Sequence, residues 1–156
     1  MSGITIIFQG EPVAQQRCRI FKRGNRVCSF DPQTMYKKGL KQQAEDQIHG
    51  YEEDRGKWAQ PTYPRIYFLF LMPIPKSMSK KERSLAETGT LKHIKKPDVD
   101  NLIKLYLDVL TGSVIQDDNS VQIAHAIKLY SMTPKTVIFI EETDKVATNK
   151  ELYGGS

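Results

Sequence analysis

The run Arg65-Ile-Tyr-Phe-Leu-Phe-Leu-Met72 constrains this chain more than any other segment. It is continuously apolar after Arg65 and rich in β-forming side chains, which predicts a central strand covered on both faces. It is far short of the ~20 apolar residues that a membrane-spanning helix needs. A buried strand needs neighbours, and the sequence offers three. Ile4 to Phe8 reads as a first strand, Val121 to Tyr130 alternates, and Thr136 to Glu141 is another β-rich run. The last two predict a sheet that closes with an antiparallel pair.

Two helices are expected beside that sheet. Asp31-Pro32 announces the first, since Asp can cap free amides and Pro loses nothing at the first helical position. Met35, Tyr36, Leu40, Ala44 and Ile48 follow at helical spacing, with Gly50 as the expected stop. The second is more periodic. Val99, Leu102, Ile103, Tyr106 and Leu110 share one face, Asp100, Lys104 and Asp108 the other, and Gly112 ends it. Strands and helices without strict alternation imply an α+β fold, a mixed β-sheet with two principal flanking helices. No internal repeat is present. The 156 residues fit a single small domain over 1–142, with 143–156 expected to be a flexible C-terminal tail. Met1 to Gly10 lacks the features of a signal peptide, so the expected location is the cytoplasm, with no membrane partner.

Charge is segregated along the chain. From Arg17 to Lys41 eight Lys or Arg stand against the single acid Asp31, interleaved with Phe21, Phe30 and Tyr36. Gly24-Asn25 marks a tight hairpin turn inside that stretch, which sets Phe21 opposite Cys28 and leaves Cys18 out of register on the other face. A Cys18–Cys28 disulfide is therefore not expected, and neither cysteine has zinc-ligand spacing. Pro73 to Pro97 carries seven Lys or Arg against two acids; Ser79 to Thr88 can form a short helix, and the rest reads as an exposed, mobile loop. Glu45 to Asp54, by contrast, is acidic. Nucleic acid is the polyanion such a surface suits. The expected contacts are Arg17, Arg19, Lys22, Arg23 and Arg26 on the hairpin and Lys80, Lys81, Lys92, Lys95 and Lys96 in the loop.

The acids supply the chemistry. Asp98 and Asp100 sit at the mouth of the second helix, in chain expected to be extended there, and Lys104 lies one turn beyond Asp100. Asp117 and Asp118 fall in a polar turn that follows the helix. Two carboxylates about 5 Å apart repel by roughly 3 kcal/mol at an effective dielectric of 20, so a gathered set requires a cation. A hard, oxygen-seeking ion fits, Mg²⁺ first and Mn²⁺ as the alternative. Such an ion favours phosphodiester hydrolysis. Taken singly, each acid reads more simply as a cap or turn residue, and most of the lysines as solvated charges. The histidines add little: His49 lies near a helix end, His125 on the apolar side of its strand, and His93 in the loop. A calcium loop is excluded because its glycine and distal glutamate are missing.

Lys96-Pro97-Asp98-Val-Asp100-Asn101-Leu-Ile-Lys104, Leu107-Asp108, Asp117-Asp118 and Lys128 occur in an order and spacing that resembles the RusA family of Holliday-junction resolvases, metal-dependent endodeoxyribonucleases common in prophages. Gly10-Glu-Pro12, the basic stretch from Arg17 and the Asp31 to Lys38 helix start extend the likeness over most of residues 4–141. The resemblance implies that Asp98, Asp100 and Asp118 are the essential carboxylates on Mg²⁺, with Asp117 beside them, and that Lys104 is the catalytic lysine. It also implies a homodimer that resolves four-way DNA junctions by paired symmetric nicks, with no small-molecule cofactor beyond the metal. The Lys-rich segment 76–96 is longer than in the compact type member. Two alternatives stay open at this point: a non-catalytic nucleic-acid-binding protein, and nucleotidyl or glycosyl transfer at the Asp-x-Asp pair.

Overall fold

The expected central strand lies inside a four-stranded sheet. In a computed structural model that describes residues 3–143, β4 (Pro64–Pro73) pairs on one side with β5 (Ile123–Ser131) and on the other with β6 (Lys135–Glu142). The first strand, β1 (Ile4–Gln9), runs antiparallel to β6, which gives the order β1-β6-β4-β5. A separate hairpin is made by β2 (Arg19–Arg23) and β3 (Arg26–Phe30). Three helices complete the fold: α1 (Thr34–Arg55), α2 (Lys80–Glu87) and α3 (Val99–Leu110). A 3-10 turn at Asp118–Ser120 leads into β5. The fold is α+β with a mixed sheet, as the pattern of elements predicts. Of the expected tail, residues 144–156 lie outside the described residues.

Three local expectations change. β5 and β6 do not pair with each other. β5 is parallel to β4, and β6 crosses over β4 to lie antiparallel to both β4 and β1. A parallel β4–β5 pair demands a long crossover, and α2 and α3 supply it. β4 is also covered on one face only. Ile66, Phe68, Phe70 and Met72 are buried on the helix side, while Tyr67 and Leu69 on the other side retain solvent contact. That open face carries the Arg65–Glu141 ion pair and His125 stacked on Tyr67 with ring centroids 5.1 Å apart, so His125 is a surface residue. Finally, α1 runs past Gly50 and stops at Gly56, where φ of +84° favours glycine. Asp31 and Pro32 precede the helix, and Gln33 takes the N-cap position.

α3 is the central helix. Leu102, Leu105, Tyr106, Val109 and Leu110 are at most 1% exposed and pack against Phe8, Phe70 and the rest of the sheet's inner face. The Tyr106 hydroxyl accepts a hydrogen bond from the Val13 amide at 3.2 Å. Edge strand β1 is closed by Gln47 of α1, whose side chain bonds both the N–H and the C=O of Ile7 at 2.8 Å. Among the described residues no helix is long and apolar enough to cross a membrane.

Tyr106 thus tests the centre of the fold. Tyr106→Phe should lower stability by about 1 kcal/mol through the lost hydrogen bond. Tyr106→Ala should lower it by about 3–5 kcal/mol through the cavity it leaves. Urea unfolding followed by circular dichroism measures both.

Candidate active site

α3 starts at Val99, so its mouth differs from the extended Asp-x-Asp expected there. Asp98 is the N-cap, in extended backbone (φ −71°, ψ 145°), but Asp100 already belongs to the first helical turn. The Asp98 side chain makes no capping hydrogen bond, which removes the simplest structural reading of this residue. Both carboxylates are exposed, and neither is paired with a described residue. They sit at the positive end of the helix dipole, where anionic oxygens are favoured. Lys104 follows one turn later, exposed, and Asp108 one turn after that, so that a charged stripe runs along the outer face of α3.

The far end of the stripe is tied to α1. The Lys37 ammonium, whose side chain is 8% exposed, donates to Asp108 at 2.7 Å and to Asp31 at 2.6 Å. Burial works against the charge on Lys37, but its bonds to Asp108 and Asp31 prevail and hold its pKa above the ordinary lysine value. Asp31 is held below the usual carboxylate range, first by the Lys37 hydrogen bond and then by the Gln33 amide.

Asp117 and Asp118 form a second acidic pair. Asp118 is pushed up by its hydrogen bond to Asp117, with repulsion from Asp117 and Asp108 adding to that. Asp117 is correspondingly lowered, by Asp118 and then by the Asn119 amide, which donates to it at 3.3 Å. The two carboxylates thus oppose each other's charge. Their electrostatic neighbour is Asp108, which lies eight residues, or about 12 Å of helix, beyond Asp100.

Among the described residues no three His, Cys, Asp or Glu stand close enough to hold a metal ion. One chain offers two separate carboxylate pairs, Asp98 with Asp100 at the mouth of α3 and Asp117 with Asp118 in the turn near Asp108. The donor chemistry still fits Mg²⁺, which needs only one or two protein carboxylates and fills its shell with waters and phosphate oxygens. The free oxygens of Asp98 and Asp100 meet that requirement.

Basic surface flanks the mouth. The Arg17 to Arg26 segment is exposed throughout, with Phe21 against Phe30 at 5.9 Å and the expected Phe21–Cys28 register; both cysteines are free. The hairpin is rooted beside the acids, because the Gln15 amide donates to the Asn101 carbonyl at 2.9 Å. Buried Gln33 fixes the same segment through Ala14 and Gln16. The second basic segment is more ordered than the mobile loop expected from sequence. Ser79 and Glu82 form a reciprocal capping box that starts α2, which carries Lys80 and Lys81. Lys92 bonds the Gly89 carbonyl at 2.6 Å, and Lys128 donates to the carbonyls of Lys95 and Pro97 at 2.7 and 2.9 Å. Lys95 and Lys96 are exposed.

Sequence reasoning missed the Lys37 bridge and the role of Lys128. Asp108 on the polar stripe of α3 hinted at the first, but its partner is 71 residues away and no local pattern names it. Lys128 carried a faint signal as a charge on the inward side of an alternating strand.

The structure thus presents a single α+β domain with an acidic helix mouth set between two basic segments. Comparison gives the class: the model of the family described as endodeoxyribonuclease RusA matches residues 9–141. The chain belongs to that family, and so to the phosphodiester-cleaving nucleases. It is also 33% identical over 145 residues to the uncharacterized protein YqaN of Bacillus subtilis (strain 168), an alignment that spans 91% of this chain and 98% of YqaN.

The Lys37 bridge predicts how stability depends on pH. The depressed Asp31 stabilises the fold above its ordinary value of 3.8, and that contribution is lost as pH falls through its lower folded value. The raised Lys37 stabilises below 10.5, and its contribution is lost as pH rises through its higher folded value. Lys37→Met should cost on the order of 1–3 kcal/mol at neutral pH. It should also flatten both flanks of the pH–stability curve, measured as urea midpoints from pH 3 to about 11.

Proposed function

We propose that this protein is a cytoplasmic, homodimeric, Mg²⁺-dependent DNA endonuclease that resolves four-way junctions by paired nicks. The observation that carries the reading is the pair of unpaired carboxylates, Asp98 and Asp100, at a helix mouth within the matched endodeoxyribonuclease region. Asp98, Asp100 and Asp118, with Asp117 beside it, would hold the ion, Mn²⁺ serving as the alternative. Bound there, a divalent cation would supply Lewis-acid polarisation of the phosphate and an activated water.

The chain's own residues do the rest. The exposed Lys104 ammonium, one turn from Asp100, stabilises charge developing on the phosphate or the leaving oxygen. Arg17, Arg19, Lys22, Arg23 and Arg26 grip one arm of the junction through phosphates, and the exposed hairpin that most of them occupy is a two-stranded ribbon of the kind a major groove admits. Lys80, Lys81, Lys92, Lys95 and Lys96 meet a second arm. Two symmetric cuts require two sites, which a two-fold dimer supplies. The separation of the two acidic pairs along α3 favours a site shared between copies, with Asp98 and Asp100 from one and Asp117 and Asp118 from the other.

A labelled synthetic four-way junction tests the activity. Wild-type protein with Mg²⁺ should give paired nicks, and Asp100→Asn should cut at less than about a hundredth of that rate while binding as well or better. Salt-sensitive binding with no products under any divalent ion would leave a binding protein in place of a nuclease.

Mixing inactive variants tests the shared site. Asp100→Asn combined with Asp118→Asn should regain single-strand nicking, because one of the two sites in the heterodimer then holds every wild-type acid. A mixture as inactive as its components places the whole set in one chain.

A further inference from the structure

Beside the mouth of α3 the structure has a cavity of about 210 Å³ that the metal chemistry does not use. Its walls are flat and apolar: the prolyl rings of Pro73 and Pro75 and the ring of Tyr130, with His93 set edge-on to Tyr130 at 4.8 Å between centroids. Polar groups are few. Glu11, Lys95 and Lys96 line the cavity. His93 Nδ1 is buried and has no hydrogen-bond partner, so the ring is held by its packing against Tyr130. Burial first, and then the ammonium of Lys128, hold this imidazole below the ordinary histidine value. At neutral pH it is therefore an uncharged ring with one N–H and one lone pair.

We propose that this cavity receives a single nucleobase unstacked from the branch point of the DNA, and thereby positions the neighbouring phosphate at Asp98 and Asp100. The inference rests on the nuclease reading and extends it to how branched DNA is told from duplex. Walls of prolyl and aromatic rings with Glu11, His93 and the basic residues Lys95 and Lys96 among them match a heteroaromatic ring with an attached phosphate. They do not match a metal ion, for which Glu11 and His93 are too few ligands among lysines. The cavity is also fixed relative to the acids. Lys95 and Lys96 are followed directly by Pro97 and Asp98, and the Lys128 ammonium ties the carbonyls of Lys95 and Pro97 to β5. A base held here and a phosphate held at Asp98 are thus held by one short, fastened segment. In a duplex every base is paired and stacked, and the cavity stays unfilled. At a branch point a base has lost a stacking neighbour and is extruded at the least cost.

The test scans a single abasic nucleotide through the positions flanking the branch point of a synthetic junction, for the full-length wild-type protein and for His93→Ala. The variant's folding is checked by thermal melting. At one position the abasic junction should be cut about five- to a hundredfold more slowly than the intact junction by the wild type. His93→Ala should lose a comparable factor on the intact junction and nothing further on that abasic one. Independently, 5-iododeoxyuridine at the same position should crosslink to His93 or Tyr130 in the unaltered protein. Normal junction cutting with no sensitive position, with additive losses, or with crosslinks confined to the 19–30 hairpin, overturns the base seat and leaves the nuclease intact. No cutting of any junction overturns both.

Discussion

The burial of α3 is the constraint on which the rest of the structure depends. Its five inward side chains are essentially removed from water, and each contributes about 1.5–3 kcal/mol against the sheet. That face leaves no freedom of rotation, so the opposite stripe of Asp100, Lys104 and Asp108 must face outward. Two of the flanking segments attach to this helix, the hairpin root through Gln15 and Asn101 and α1 through Lys37 and Asp108, while the 95–97 segment that leads into it is fastened to β5 by Lys128. Acids and basic arms keep a fixed relation because they share a support, although they come from distant parts of the chain.

The parallel pairing of β4 and β5 sets where the two acidic pairs lie. A crossover must travel from the end of one strand to the start of its neighbour, and α3 makes the return journey. Its first residue therefore lies toward the end where β4 finishes, which the Lys128–Pro97 bond records. Its last turn lies toward the end where β5 begins, and there the charge of Asp108 reaches Asp118. The sequence places Asp98, Asp100 and Asp118 within a span of 21 residues, and α3 runs between the first two and the third.

Local patterns made much of this legible. β4, α3, α2 and the Phe21–Cys28 register each follow from periodicity, capping chemistry or a turn pair, which act over a few residues. What escaped was set at long range. Strand order depends on which edge β6 reaches, and the fate of Gly50 depends on the packing of Leu40 and Ala44 along the same helix, which outweighs the modest intrinsic cost of one glycine. The one-sided cover of β4 was invisible because an apolar run looks the same whether one face or both are packed. The Asp98 and Asp100 pair was readable as a motif, but that Asp98 does not cap its helix is a matter of side-chain geometry.

The charge arrangement follows from a single electrostatic requirement. Unpaired carboxylates at the mouth of α3 repel a phosphate backbone, and a cation at that mouth acts over only a few ångströms. Longer-range attraction has to come from elsewhere, and at physiological salt it fades over about 8 Å. Basic side chains must therefore stand close beside the acids without neutralising them. The structure meets both conditions. Lys128 holds the 95–97 segment through backbone carbonyls, and Lys37 is occupied by Asp31 and Asp108. Lys128 and Lys37 are thus engaged elsewhere, Lys104 is exposed, and Asp98 and Asp100 keep oxygens free of any partner among the described residues.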